Sequence, residues 1–180
     1  MRRVFLGLEL PDDLRSALAV QQFLLPLPRK SPPEQLHLTL VFVAEAGDAA
    51  LEAAHEALSS LRFAPFSLDL QGLGLFGGDR PRVVWAGLAP SEPLMRLQAK
   101  VEQAARRAGL DPEHRRYSPH VTLGHFRPPG FAQTAALERA VADGAGFRAG
   151  PWPVGGMCLW ESHLSPQGAR HDLLARYPFS

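Results

Sequence analysis

The chain has 180 residues, 46% of them apolar, and a formal net charge of +1. That is apolar chain enough for a core of its own and too much for a disordered segment, so we expect one domain over residues 1–180, built as two lobes. The small net charge excludes nucleic-acid binding through a global basic field and requires any such contact to be a local patch. The cations are almost all arginine, 17 against Lys30 and Lys100, which suits bidentate phosphate recognition but also follows from a GC-rich genome. Cys158 is the only cysteine, which rules out an intrachain disulfide, and Met157 and Leu159 beside it mark a buried structural thiol. With no signal peptide or membrane-length apolar run in the sequence, the cytoplasm is the expected location.

In chain order, Val4–Leu10 reads as a first strand, ended by Pro11. Asp12 and Asp13 form the acidic first turn of a helix whose stripe, Leu14, Ala17 and Leu18, runs toward Phe23 and Leu25. Pro26 to Pro33 is a proline-rich loop, leading into a central strand over Leu36–Val43. Asp48 then caps a helix to Leu61, with Leu51, Ala54, His55 and Leu58 at helical spacing and His55 on its surface. Phe66–Phe76 alternates as a half-buried strand should. Within it, Gly72-Leu73-Gly74-Leu75-Phe76-Gly77 matches the dinucleotide-binding spacing G-x-G-x-x-G. That fingerprint needs a helix opening inside it, whereas Gly78-Asp79-Arg80-Pro81 and another strand follow here, so we read a hairpin.

The return strand is Arg82–Leu88. Ser91 caps a helix striped by Leu94, Leu97, Val101, Ala104, Ala105 and Ala108 and stopped at Gly109. Asp111 to Pro119 is a polar loop, and Pro119 biases Ser118 toward extended geometry ahead of a strand that opens at His120 and closes at Arg127-Pro128-Pro129-Gly130. A helix over Thr134–Val141, a glycine-rich loop and two strands, Gly155–Leu164 and Ala169–Phe179, complete the chain. Strands joined by short turns, interleaved with helices, predict an α+β fold with mostly antiparallel sheets.

One four-residue pattern occurs twice, as His37-Leu38-Thr39-Leu40 and as His120-Val121-Thr122-Leu123. On a strand, side chains alternate between faces, so each copy presents its His and Thr together and its two apolar residues to the other side. The surroundings match as well. An apolar strand, a proline (Pro11, Pro90) and a helix precede each copy, and His37 lies 33 residues after Val4 where His120 lies 37 after Val83. This pattern reads as a diverged internal duplication. Two pseudo-symmetric halves, helices outside, would bring both His-Thr pairs into one central groove.

Two imidazoles in one groove suit acid-base chemistry, because both protonation states of His coexist near neutral pH. One can take a proton from water while the other gives one to a leaving oxygen, and each Thr hydroxyl can donate to a non-bridging phosphate oxygen. A strained cyclic phosphodiester fits such a site. A lone His-x-Thr would be read as a structural histidine; two copies in matched context favour the paired reading. Zinc is disfavoured because neither copy has a further ligand at the required spacing, and because His120 and His125, five apart on a strand, point to opposite faces. No G-x-S-x-G elbow is present for serine chemistry.

With its paired His-x-Thr-x motifs the chain resembles the two-histidine (2H) phosphoesterases, in particular the bacterial and archaeal RNA 2',3'-cyclic phosphodiesterases, also called 2'-5' RNA ligases. The resemblance extends to Arg3–Leu8, Pro33–Leu36, Pro81–Gly87, Ser118-Pro119, Glu161-Ser162 and Gly168–Arg170. It implies a bilobal fold around a central groove and opening of a 2',3'-cyclic phosphate to a 2'-phosphomonoester without metal or cofactor. It further implies His37 as proton donor, His120 as proton acceptor, and Thr39 and Thr122 as the phosphate grip. It extends also to reversible joining of RNA ends through a 2'-5' bond in vitro. The chain departs from the family pattern at Val41, often basic, at Ala44, often glycine, and at His171, commonly aromatic.

Arg127 and Arg170 are further candidates for phosphate contact, and Phe76 and Tyr117 for base stacking. Trp85 is expected in the core, and His125, His163 and His171 in structural or surface roles. The partner is RNA with a cyclic phosphate end, with no membrane or protein partner implied. Two alternatives stay open: a phosphodiesterase acting on small cyclic nucleotides, and a module that binds RNA ends without turnover.

Overall fold

The alternating segments assemble into one eight-stranded antiparallel sheet, seen in a computed structural model that describes residues 1–180. In chain order the elements are β1 (Arg2–Glu9), α1 (Asp12–Leu24), β2 (His37–Ala46), α2 (Asp48–Ser59), β3 (Phe66–Phe76), β4 (Val83–Leu88), α3 (Glu92–Arg107), β5 (His120–His125), α4 (Phe131–Asp143), β6 (Arg148–Val154), β7 (Gly156–Ser165) and β8 (Gly168–Pro178). The strand order is β6-β3-β4-β5-β2-β1-β7-β8. It divides into two four-stranded halves that meet where β5 faces β2, joined by the single pair Leu38↔Val121. The β-α-β-α unit from β1 to α2 repeats from β4 to α4. Each unit then sends a strand across: β3, directly after the first, pairs with β4 of the second half, while after the second unit β6 pairs with β3 and β7 crosses to pair with β1 of the first half.

One face of the sheet carries the core. Leu8, Leu38, Leu40, Val84, Ala86, Val121 and Leu123 are buried against the apolar stripes of the helices, Leu14 and Leu18 of α1 and Leu94, Leu97, Val101 and Ala105 of α3. Ser91 caps α3 through Leu94 N–H donating to its Oγ at 3.3 Å, and Gly109 after the helix sits at φ +93°, a left-handed conformation that glycine adopts without cost. No helix is long and apolar enough to cross a membrane. Cys158 is buried, and burial pushes its thiol up to about 11.

Four expectations need correction. A strand, β6, lies in the segment taken as a glycine-rich loop. Its Pro151 and Pro153 hide the strand signal, and they are tolerated because β6 is the sheet edge beyond β3, where one side of the backbone needs no ladder partner. Helix α2 is capped by Gly47 and not by Asp48, whose carboxylate accepts from Arg2 at 3.1 Å. Helix α4 begins at Phe131, three residues earlier than Thr134, because its first turn buries nothing and so shows no stripe. Finally, His125 is exposed and lines the same groove as His120. The pairing of β4 with β5 passes from Trp85↔Thr122 to Val84↔Gly124, so Leu123 is an extra residue that resets the alternation. A bulge at the equivalent place in the first half, Leu40 between Gly7↔Thr39 and Leu6↔Val41, likewise turns Phe42 into the groove.

The close approach of β1 to β2 needs a residue without Cβ at Gly7. A Cβ there would lie 2.6 Å from the Leu38 carbonyl oxygen and 3.3 Å from the Trp160 ring. In β4, a Cβ on Gly87 would meet the Gln71 carbonyl oxygen at 2.7 Å. Because the obstacle is backbone in both cases, Gly7→Ala and Gly87→Ala should each destabilise the protein by about 2 kcal/mol, read as a lower urea midpoint. Midpoints equal to that of the parent chain would refute this packing.

Candidate active site

Both motifs open their strands, His37 at the start of β2 and His120 at the start of β5. In each, the His and Thr are half-buried while the intervening Leu or Val is buried, the same pattern in both copies. The bridge Leu38↔Val121 sets the strands antiparallel, which runs His37 toward Thr122 and Thr39 toward His120. The two pairs therefore meet at the seam between the halves. The charge of one imidazole is felt at the other.

Each ring is anchored alike. His37 Nδ1–H donates to the Gln35 carbonyl oxygen and His120 Nδ1–H to that of Ser118, both at 2.7 Å and both two residues back along the chain. A carbonyl can only accept, so Nδ1 carries the proton and the neutral ring keeps its lone pair on Nε2. The two rings then differ. His37 Nε2 is 3.0 Å from Thr39 Oγ, whose hydroxyl donates to it, whereas His120 Nε2 has no partner within the chain.

Behind each His stands a pair of aromatic rings. Phe5 stacks on His37 at 4.6 Å and on Trp160 at 5.2 Å; Phe76 meets His120 edge-on at 4.9 Å and Trp85 at 5.3 Å. Trp85 is thus half-buried behind Phe76 and His120 rather than in the core, and Gly74 makes room for it, since a Cβ there would lie 2.1 Å from the indole. These apolar walls withdraw the rings from water and disfavour the imidazolium. Burial pushes His37 down to about 4, against the opposing pull of its bond to Gln35, with a smaller push from His171, His120 and Arg15. His120 is lowered as well, by burial first and then by the charge of Arg115, opposed by its bond to Ser118.

The groove widens into a cavity of about 630 Å³ that includes Thr39, His120 and Thr122. Phe76 and Tyr117 line it. The Tyr117 hydroxyl donates to the Thr39 carbonyl oxygen at 2.8 Å, so a residue from the loop before β5 holds the strand of the other half. Arg127 is exposed and lies outside the cavity lining, and Arg170 is paired with Asp172 at 3.0 Å. His163 sits 3.1 Å from Asp172, in the surface role expected for it.

Several site residues carried no local signal in the sequence. His171 stands edge-on to His37 at 5.3 Å, brought there by the β7–β8 hairpin, which is tied down by Gln35 Nε2 donating to the Ala169 carbonyl oxygen at 2.6 Å. Arg3 and Arg15 each keep a buried Nε without a partner near the site.

Comparison with known proteins finds one family model and a set of relatives. The family model described as the 2'-5' RNA ligase superfamily matches residues 10–166. A protein from Aeropyrum pernix named RNA 2',3'-cyclic phosphodiesterase is 34% identical over 143 residues, covering 78% of this chain and 80% of that one. A Thermus thermophilus protein of the same name is 31% identical, covering 97% and 89%. Among solved structures, TT0787 of Thermus thermophilus aligns with a TM-score of 0.78 at 27% identity over 98% of this chain and 97% of that one. Escherichia coli LigT complexed with 3'-AMP shares the fold, with a TM-score of 0.79 at 24% identity over 99% and 98%.

The depressed imidazoles make a spectroscopic prediction. In a proton NMR titration of the free protein, His37 should show a midpoint near 4, because burial penalises the charged form and nothing acidic compensates it. Inorganic phosphate in the groove supplies the missing negative charge and should move that midpoint upward. A midpoint at or above the ordinary 6.5 in the free protein would contradict the buried, uncompensated environment.

Proposed function

The chain belongs to the 2'-5' RNA ligase superfamily, and we propose that it is an RNA 2',3'-cyclic phosphodiesterase, a cytoplasmic enzyme whose residues 1–180 form one domain with a His-Thr pair in each lobe. The observation that carries the reading is the matched anchoring of two imidazoles, each with Nδ1–H on a carbonyl, which leaves Nε2 of His120 free and Nε2 of His37 holding only the Thr39 hydroxyl. The substrate is RNA, and the reacting group is the cyclic phosphate at its end.

Water attacks phosphorus while His120 Nε2, free of any internal partner, accepts its proton. As the bond from phosphorus to the 3'-oxygen breaks, His37 delivers the proton on its Nε2 to that oxygen, leaving a 2'-phosphomonoester. The Thr39 and Thr122 hydroxyls donate to the non-bridging oxygens, where charge builds in the transition state. His37 must be loaded with a proton first. Its low affinity for one in the empty groove makes it a strong acid once charged, and the phosphate anion beside it favours the charged form. Afterwards the roles are reset by exchange with water. With a 5'-hydroxyl in place of water as the nucleophile, the same steps open the cyclic phosphate into a 2'-5' phosphodiester, the 3'-oxygen leaving with the proton from His37, which is 2'-5' ligation.

The decisive experiment is phosphorus NMR of the protein with a short RNA ending in a 2',3'-cyclic phosphate, in excess EDTA. A 2'-monoester alone is expected. An unchanged cyclic end, with RNA bound, would move the assignment to an end-binding module. His37→Ala and His120→Ala should each slow turnover by roughly 10²–10⁴-fold with the fold intact. Because both imidazoles lie below their ordinary value, kcat/KM should peak on the acid side of pH 6.5 and fall at higher pH as His37 loses its proton. A plateau extending to pH 9 would rule out the two-imidazole scheme.

A further inference from the structure

Beyond His120 and Thr122, the cavity wall carries four arginines, Arg3, Arg82, Arg115 and Arg116, against two carboxylates, Glu102 and Glu113. Both carboxylates are already engaged. Glu102 accepts from Arg106 and Gln98 on its own helix, and Glu113 pairs with Arg115 at 2.7 Å. No ion pair of the chain involves Arg3, Arg82 or Arg116. Three uncompensated guanidiniums thus face one cavity in a chain whose net charge is only +1. Like charges gathered around a concave, partly apolar site raise the local concentration of anions.

Arg3 is the most constrained of the three. Its Cζ lies 4.4 Å above the Phe42 ring, and its Nε is buried without an acceptor. The bulge at Leu40 supplies the Phe42 platform, so the fold aims this guanidinium. Arg82 and Arg116 are exposed, one from the end of the β3–β4 hairpin and one from the loop before β5. Guanidinium geometry matches phosphate oxygens bidentately.

The chemistry of a cyclic end says which phosphate these arginines meet. A 2',3'-cyclic phosphate occupies both the 2'- and 3'-oxygens of the last ribose, so the rest of the strand can leave only through the 5'-oxygen. The next phosphate therefore lies one ribose away from the group held by the two His-Thr pairs. The cavity that opens beside His120 and Thr122 is lined by the three free guanidiniums. We infer that Arg3, Arg82 and Arg116 form a subsite for the phosphodiester immediately upstream of the cyclic end, which makes the protein a reader of strands and not of mononucleotides. The inference rests on the cyclic phosphodiesterase reading of the groove.

The test compares kcat/KM for a dinucleotide ending in a 2',3'-cyclic phosphate, which has one internal phosphodiester, with that for 2',3'-cyclic AMP. The dinucleotide should be preferred by at least about tenfold at low salt, with the preference shrinking as salt rises. In R82Q/R116Q, where both positions are exposed and the fold is not at risk, the ratio of the two constants should fall by roughly fivefold or more, mostly through KM. R3K keeps the charge but loses the fork, and should lower the ratio less than R3Q. Equal constants in the parent chain, or a ratio unchanged in the variants, overturns the subsite. A 5'-phosphorylated cyclic mononucleotide that matches the dinucleotide would overturn the assignment to an internal phosphodiester. Fluorescence anisotropy of a labelled oligoribonucleotide ending in a 2'-phosphate decides the question independently of turnover: R82Q/R116Q should bind it more weakly, and equal affinity again overturns the subsite.

Discussion

The two-residue period of a β-strand is the constraint on which the site depends. Leu38, Leu40, Val121 and Leu123 are at most 2% exposed, packed into the core beneath the seam. Each such side chain contributes about 1.5–3 kcal/mol by leaving water. A slip of either strand by one residue would lose most of that and bury the His-Thr pair instead. The orientation of the imidazoles is therefore enforced by residues that never touch the groove. The bulges at the last residue of each motif, Leu40 and Leu123, work within the same rule, since one extra residue resets which positions face the groove.

The anchoring groups matter as much as their positions. A histidine braced by a carboxylate gains a counter-charge that stabilises its protonated form. Here both braces are neutral backbone carbonyls, so tautomer and ring orientation are fixed without that stabilisation. Aromatic walls then carry the rings further from water, and the imidazolium is left to be stabilised by whatever anion enters. Imidazoles held in this way favour the neutral form when the groove is empty and the charged form when an anion fills it.

Much of this was legible from the chain alone because the informative signals are local. The strand Phe66–Phe76 matches its predicted bounds, and the twofold His-x-Thr pattern with its preceding strand, proline and helix pointed to two matched halves, which the pair Leu38↔Val121 joins. The failures are of two kinds. Pro151 and Pro153 masked β6, since a sequence does not say which strand will be an edge, and the bulge at Leu123 overturned the alternation argument for His125. The other failures concern distance along the chain. Arg3 and His171 reach the site from opposite ends of the sequence through strand pairings, and Arg15 from helix α1, none of which a local pattern encodes. Arg127 and Arg170 stood out by sequence proximity to familiar motifs; one is exposed outside the cavity lining and the other is held by Asp172.

The crossing of β3 and β7 constrains how such a protein could have arisen. A single repeat ending in β3 would have no β4 for that strand to join, and its own β1 would lack an outer neighbour. Two separate copies would satisfy each other by trading these strands, which is the geometry of a domain-swapped dimer. Joining the copies in one chain replaces an encounter between molecules with a tethered, intramolecular one, so assembly no longer depends on protein concentration. Fused copies are also free to diverge, and the unequal Nε2 environments of His37 and His120 are what such freedom permits.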